Sequence, residues 1–220
     1  MKFYLFLERK LGKYAIKNLN LYLVVINLLG LAIYVLNPFF YTLYLSLSPY
    51  SVLKGQVWRI FTFIFYPMTL SSFGILFSLF IIYIYYNFTT SLINVWGDFK
   101  FNLYILIGII GHVVAAFLIY FITGQDLIMI PMYLTFSIFI AFALTFKDAV
   151  FLVFFIIPVK AKYLAYFELI VYFLLFISSD MTTKISILVS LLNVFLFLYI
   201  SYKDDFVRWL RRLFYKFFRR

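Results

Sequence analysis

Apolar residues run through this chain in six long stretches, at about residues 19 to 37, 72 to 95, 101 to 123, 127 to 146, 162 to 179 and 184 to 202. Crossing a hydrocarbon layer as a helix takes roughly 20 such residues, so the pattern predicts six membrane-spanning helices. Polar or turn-forming residues divide them: Asn37-Pro38, Gly97-Asp98, Gly124-Gln125-Asp126, Lys147-Asp148 and Ser178-Ser179-Asp180. Residues 149 to 158 are apolar but too few to span, and they end in Pro158; a buried or re-entrant connection is expected there.

The ends of the chain have a different texture. Residues 1 to 18 interleave Lys2, Arg9, Lys10, Lys13 and Lys17 with leucines and aromatics, which predicts a basic helix lying on the inner membrane face. No apolar core with a small-residue cleavage site is present in this segment, so no cleaved signal peptide is expected. Residues 203 to 220, KDDFVRWLRRLFYKFFRR, alternate bases with Phe, Trp, Leu and Tyr. They read as an amphipathic tail held to anionic headgroups. The expected division is therefore a basic interfacial segment (1–18), a six-helix membrane domain (19–202) and a basic tail (203–220).

Composition sharpens this picture. The 220 residues are 66% apolar and 25% aromatic, with only 12% charged, and mean hydropathy is +1.05. Such values exclude a water-soluble globular domain. The net charge of +11 sits beside membrane segments and among aromatics, so headgroups rather than nucleic acid are the expected partner. The chain has no cysteine, which removes disulfides, thiolate metal sites and a cysteine nucleophile. Neither a Walker loop, a dinucleotide fingerprint nor a metal motif occurs, so no cofactor and no metal are expected.

Charge also orients the chain. With both termini placed in the cytoplasm, 16 of the 19 Lys and Arg residues lie inside and only Lys54, Arg59 and Lys184 outside. The positive-inside rule then gives an even number of spans with both ends cytoplasmic.

Between the first two stretches lies GQVWRIFTF, residues 55 to 63, in a connection punctuated by Pro38, Pro49, Gly55 and Pro67. A planar guanidinium can donate to loop carbonyls while a neighbouring indole anchors at headgroup depth. Arg59 is thus expected to brace an irregular loop half immersed in lipid. A first helix, a loop carrying Trp58, Arg59 and Thr62, and five further helices together resemble the rhomboid-like superfamily. So does the WGDFKFNLYILIGIIG junction at residues 96 to 111. The resemblance implies an all-α, six-transmembrane-helix bundle with an interfacial first outer loop.

Active members of that superfamily use a serine near the start of helix four and a histidine in helix six. Aligned by the resemblance, Met132 stands at the nucleophile position and Leu191 at the base position. The one histidine is His112, in helix three, and no second histidine exists to activate a serine. Ser137 is read as bonding back to its own helix. The resemblance therefore implies a protein that is not an enzyme, a rhomboid pseudoprotease. LIMIPMYLTF (127 to 136), FKDAVFLVFF (146 to 155) and KAKYLAY (160 to 166) look like the Derlin branch. The sixth helix departs from that branch in lacking a glycine, and no long tail follows it.

Two ionisable residues fall inside the predicted spans, His112 and Glu168, and such residues are functional candidates by default. His112 is read as structural, and Glu168 either reaches water near the inner surface or faces a polar cavity. The leading reading is a non-catalytic rhomboid-like protein that binds transmembrane segments of other membrane proteins laterally, between helices two and five, in quality control or trafficking. The alternatives are a small transporter using Glu168 and His112, and an active intramembrane protease. The Phe, Ile, Lys and Tyr bias suits a bacterial protein, so the expected location is the plasma membrane rather than the endoplasmic reticulum.

Overall fold

The computed structural model describes residues 2–66, 74–129, 131–153 and 157–197. The basic tail from Lys203 lies outside them, as do the first residues of the second apolar stretch and the last of the sixth. Helix α1 (Lys2–Leu11) and a short 3-10 turn lead into α2 (Leu19–Leu36). The first long connection holds a π-turn (Tyr41–Leu45), α3 (Pro49–Leu53), α4 (Arg59–Thr62) and a 3-10 turn (Phe63–Phe65). Next come α5 (Gly74–Trp96), α6 (Asp98–Thr123) and α7 (Met132–Thr145), a hairpin of β1 (Val150–Val153) and β2 (Ile157–Lys160), α8 (Ala161–Ser178) and α9 (Met181–Phe197).

Helices α2, α5, α6 and α8 are each long and apolar enough to cross a membrane, and the architecture is that of an all-α membrane protein. Hydroxyls within these helices bond back to their own turns, as Thr89 to Tyr85 and Thr123 to Ile119, so that few polar groups face an apolar solvent unpaired. Helices α5 and α6 are joined at a single residue, Gly97, whose φ of 82° reverses the chain in a conformation that L side chains rarely adopt.

The sixfold pattern of apolar stretches resolves into helices of unequal length. Helix α7 has 14 residues, about 21 Å, against roughly 30 Å of hydrocarbon. The fourth stretch was expected from residue 127, but Pro131 stands at the N-cap and Met129 pairs as an isolated bridge with Leu47. Residues 124 to 129 are thus non-helical, and a proline disfavours an α conformation in the residue before it. Helix α6 begins at Asp98 and α9 at Met181, both earlier than the apolar runs alone indicate.

Where a buried or re-entrant connection was expected at 149 to 158, Val150–Val153 and Ile157–Lys160 pair antiparallel in register Val150–Lys160 and Phe151–Val159. Val150 is 56% exposed, while Phe151 turns onto the bundle, against Phe88 and Phe142, and Ala149 packs on the same core. The ladder pairs alternate residues of each strand, and the remaining backbone groups lie on the outer edges of the two-stranded sheet.

The chain runs back and forth between two ends. At one end the α5–α6 joint holds the N-terminal segment. Asn102 accepts from the Ile16 N–H and donates to its carbonyl (3.0 and 2.9 Å), and Asp98 accepts from Asn18 N–H at 3.1 Å. The hairpin, with Asp148 paired to Lys160 at 3.0 Å, follows α7 at this same end. At the opposite end the first connection meets the α6–α7 connection. Between them the core packs Tyr104, Phe101, Leu92, Ile138 and Ile187 from α5, α6, α7 and α9.

Candidate functional site: a braced loop beside an open cleft

A π-turn leaves its last carbonyls without the next turn's N–H groups to pair with. In the first connection those carbonyls are satisfied from the segment 13 to 17 residues further on. Trp58 Nε1 donates to the Tyr44 carbonyl at 3.1 Å and Thr62 Oγ1 to that of Leu45 at 3.0 Å. Arg59 donates from one Nη to Ser46 O at 2.9 Å, from the other to Leu43 O, and from Nε to Gln56 Oε1 at 2.7 Å. All three faces of the guanidinium fork are therefore used. Arg59 is 4% exposed while Trp58 is 48% exposed, which puts the charge under the indole. Burial pulls the Arg59 guanidinium below its ordinary value, opposed by the nearby Asp126 carboxylate.

The braced loop is fastened to the bundle through Asp126, Gly30 and a small shared core, and is tied within itself by Tyr41. Asp126 accepts from the Ser48 hydroxyl at 2.6 Å and from the Tyr50 N–H at 3.1 Å, so it shares with Ser48 the capping of α3, whose Ser51 N–H bonds Ser48 Oγ at 3.1 Å. Tyr41 donates to the Phe63 carbonyl at 2.8 Å. Gly30 of α2 approaches the Phe65 backbone so closely that a Cβ there would overlap the carbonyl oxygen and lie 3.0 Å from its carbon. Leu47, Phe63, Ala116 and Met129 form a small core of their own beneath.

Beside this assembly, α5 and α8 each pack on α7 and leave a cleft of about 370 Å³ between them, open to the flank of the bundle. Tyr85 and Phe88 of α5, Phe136 and Phe139 of α7 and Val171 and Leu175 of α8 line it. Two residues singled out in the sequence meet here. Met132, at the first turn of α7, forms part of the wall and also lines a core cavity of about 40 Å³ beside Asn27. Glu168 is the one charged residue of the lining. It stands beside the Tyr172 hydroxyl, and its Oε2 is buried without a hydrogen-bond partner among the described residues.

His112 is elsewhere. It is fully buried, near the Phe63 ring, and its Nδ1 lies 2.8 Å from Gly108 O, one turn back in its own helix. A carbonyl only accepts, so Nδ1 carries the proton and Nε2, which has no partner among the described residues, is an acceptor. His112 lines neither the cleft nor the core cavity. Ser137 donates to Leu134 O at 2.6 Å and receives the Tyr104 hydroxyl at 2.6 Å. Leu191 is partly buried against the main core. Among the described residues no three His, Cys, Asp or Glu side chains gather in a way that could hold a metal ion.

Several residues that organise the site carry no motif. Asp126 caps a helix 76 residues earlier, and only the Ser48-Pro49-x-Ser51 spacing hints that a cap is wanted there. Gln56 and Tyr41 act through single side-chain hydrogen bonds and Asn102 through a pair to Ile16, none of which a spacing rule anticipates. A helical polytopic membrane protein is the class that fold and site define. No protein-family model, curated protein or solved structure matches the chain.

Proposed function

We propose that this protein is a non-catalytic, rhomboid-like membrane protein that binds transmembrane segments of other membrane proteins laterally, in quality control or trafficking. One observation carries the reading: an aromatic-walled cleft between α5 and α8, open on the flank, where a helix can enter from lipid without crossing water. Helices α7 and α9 serve as short fourth and sixth spans, giving a six-helix bundle. A bundle whose fourth span is only about 21 Å long thins the bilayer around it, which lowers the penalty for polar segments that approach.

Orientation is supported by charge. Nine of the twelve described Lys and Arg residues (Lys2, Arg9, Lys10, Lys13, Lys17, Lys100, Lys147, Lys160 and Lys162) belong to the hairpin end; Lys54, Arg59 and Lys184 belong to the other. That end faces the cytoplasm by the positive-inside rule, both termini with it, in a bacterial plasma membrane. Anionic headgroups are the partners of the basic N-terminal segment and tail.

The non-catalytic part of the proposal rests on Met132 and Leu191 at the expected dyad positions and on Ser137 and His112 being engaged with their own helices. A transporter built on Glu168 and His112 needs both on one path, whereas Glu168 lines the cleft and His112 does not.

The test places a photo-crosslinking amino acid at Ile84 in α5 and at Val171 in α8, in native membranes, with captured proteins identified by mass spectrometry. Recurrent capture of membrane-spanning proteins, together with no labelling by a fluorophosphonate probe, is the expected result. Empty lanes beside well-expressed protein overturn lateral binding, and labelling at Ser137 overturns the non-catalytic assignment.

A further inference from the structure

We propose that one anionic phospholipid occupies a groove between the N-terminal segment and α6, with an acyl chain lying along α6 and its phosphate met by Lys10 and Lys13. The groove is separate from the lateral cleft, and the proposal does not depend on what that cleft binds.

The groove measures about 400 Å³, within the range of ligand sites. Leu7, Leu11 and Ile16 form one wall and Leu103, Leu106 and Ile109 the other. Its outer wall is fixed in place. Ile16 is tied to Asn102 through both of its backbone groups, and Glu8 stands opposite Lys100, whose charge it offsets. These attachments make a defined space rather than a stretch of helix surface facing bulk lipid.

Length then selects the occupant. Helix α6 lines the groove from Phe99 to Ile109, about 15 Å along the axis, which is half of a hydrocarbon layer roughly 30 Å thick. That is the depth of one leaflet: it suits an acyl chain and is too short for a transmembrane helix. Polarity runs the same way. The polar members of the lining, Tyr14 and Asn102, sit toward the start of α6, whereas Leu106 and Ile109 farther along offer only apolar contact.

Charge selects the headgroup. Lys13 Nζ lies 4.9 Å from the centre of the Tyr14 ring and Lys10 Nζ 5.8 Å from that of Phe6, so both ammonium groups stand beside the segment that walls the groove. Both lysines are exposed, and neither is ion-paired with a described residue. Arg9 and Lys17 add charge of the same sign. Basic residues beside a membrane surface attract anionic lipid, and a lysine ammonium binds phosphate as a point charge. A second copy of the chain would bring the same bases against these. Residues 203 to 220 carry seven Lys and Arg against two Asp, so the chain's own tail does not complement the groove either.

The experiment uses the full-length protein in phosphatidylcholine vesicles containing a trace of phosphatidylglycerol or phosphatidylcholine with a photoreactive diazirine in one acyl chain. Labelled residues are mapped by mass spectrometry. Phosphatidylglycerol is expected to label the segment around Leu103 and Leu106 roughly tenfold more than phosphatidylcholine does. Lys10→Gln and Lys13→Gln are each expected to lower that labelling about fivefold. Lys147→Gln, exposed at the same end of the bundle beside the hairpin, is expected to leave it unchanged. Leu106→Trp, which fills the groove and keeps both lysines, is expected to reduce labelling of Leu103 and Leu11. Excess unlabelled phosphatidylglycerol is expected to displace the probe, and inorganic phosphate is not. Equal labelling by the two lipids overturns the proposal in favour of bulk lipid in the groove. A loss in Lys147→Gln as large as in Lys10→Gln overturns it in favour of diffuse charge attraction, and displacement by inorganic phosphate overturns the part played by the acyl chain.

Discussion

The Arg59 guanidinium donates to the Ser46 carbonyl at 2.9 Å, 13 residues back along the chain, and the same fork takes Leu43 and Gln56. Charge-assisted hydrogen bonds contribute about 1.5 to 3 kcal/mol each, and a lysine ammonium cannot reproduce a planar fork. Arg59→Lys is expected to lower stability by about 2 kcal/mol, and Arg59→Met by more. Trp58→Phe, which removes one hydrogen bond from a half-exposed ring, is expected to lower it by about 1 kcal/mol. Thermal unfolding in detergent micelles checks the order. An Arg59→Lys protein as stable as the parent contradicts the bracing role.

Asp126 holds the N-terminus of α3 from the α6–α7 connection. Replacing it with Ala is expected to speed hydrogen exchange of the Tyr50 and Ser51 amides by about tenfold, a loss of roughly 1.4 kcal/mol of local protection. Ser48→Ala is expected to do much the same. Because both act on one cap, the double variant is expected to fall well short of the sum.

Gly30→Ala drives a methyl into the Phe65 backbone, which cannot rotate away as a side chain would. A loss of about 2 kcal/mol is expected, read as a lower unfolding temperature. Gly12→Ala, whose nearest neighbour would be Glu8 Cγ at 3.9 Å, is the control and is expected to be nearly neutral.

The Asp180 carboxylate is held below its usual range by hydrogen bonds from Thr183 and Thr182 at the start of α9. A carboxyl depressed in the folded state stabilises fully above the unfolded value, about 3.9, and that stabilisation disappears as pH falls through the lower folded value. Asp180→Ala is expected to lower stability by about 1 kcal/mol at neutral pH, as loss of an N-cap does. Parent and variant are expected to converge as pH falls through that lower value. Unfolding followed from pH 7 to pH 2 tests this, and a constant difference across the range contradicts the cap.

Apolar periodicity locates α2, α5, α6 and α8 to within a few residues, because a span in lipid has to satisfy its backbone internally and leaves a long uniform run. The same logic overextends α7. The run from residue 127 looks uniform in hydropathy, yet Pro131 and the pairing of Met129 with Leu47 keep its first part out of the helix. The hairpin at 150 to 160 is hidden for a related reason, since four-residue strands of Val, Phe and Leu cannot be told from a helical fragment by composition. Glu168 stands out in the sequence as an ionisable residue in a span, but the cleft around it depends on α5 and α8 both resting on α7, which no local pattern encodes. Asp126 is the clearest omission: its partners are 76 and 78 residues away, and its own neighbourhood reads as an ordinary polar turn.

The distance between Ser48 and Asp126 also sets a schedule for biogenesis. Asp126 emerges 78 residues after Ser48, which at about 5 to 20 residues per second is an interval of roughly 4 to 16 seconds. During it the first connection lacks its partner in the α6–α7 connection, yet its π-turn carbonyls are already covered, because Trp58, Arg59 and Thr62 come from the same connection. The Trp-Arg segment is in this sense a waiting structure: it lets the loop leave the ribosome with its backbone satisfied and hold its shape until the bundle arrives to receive it.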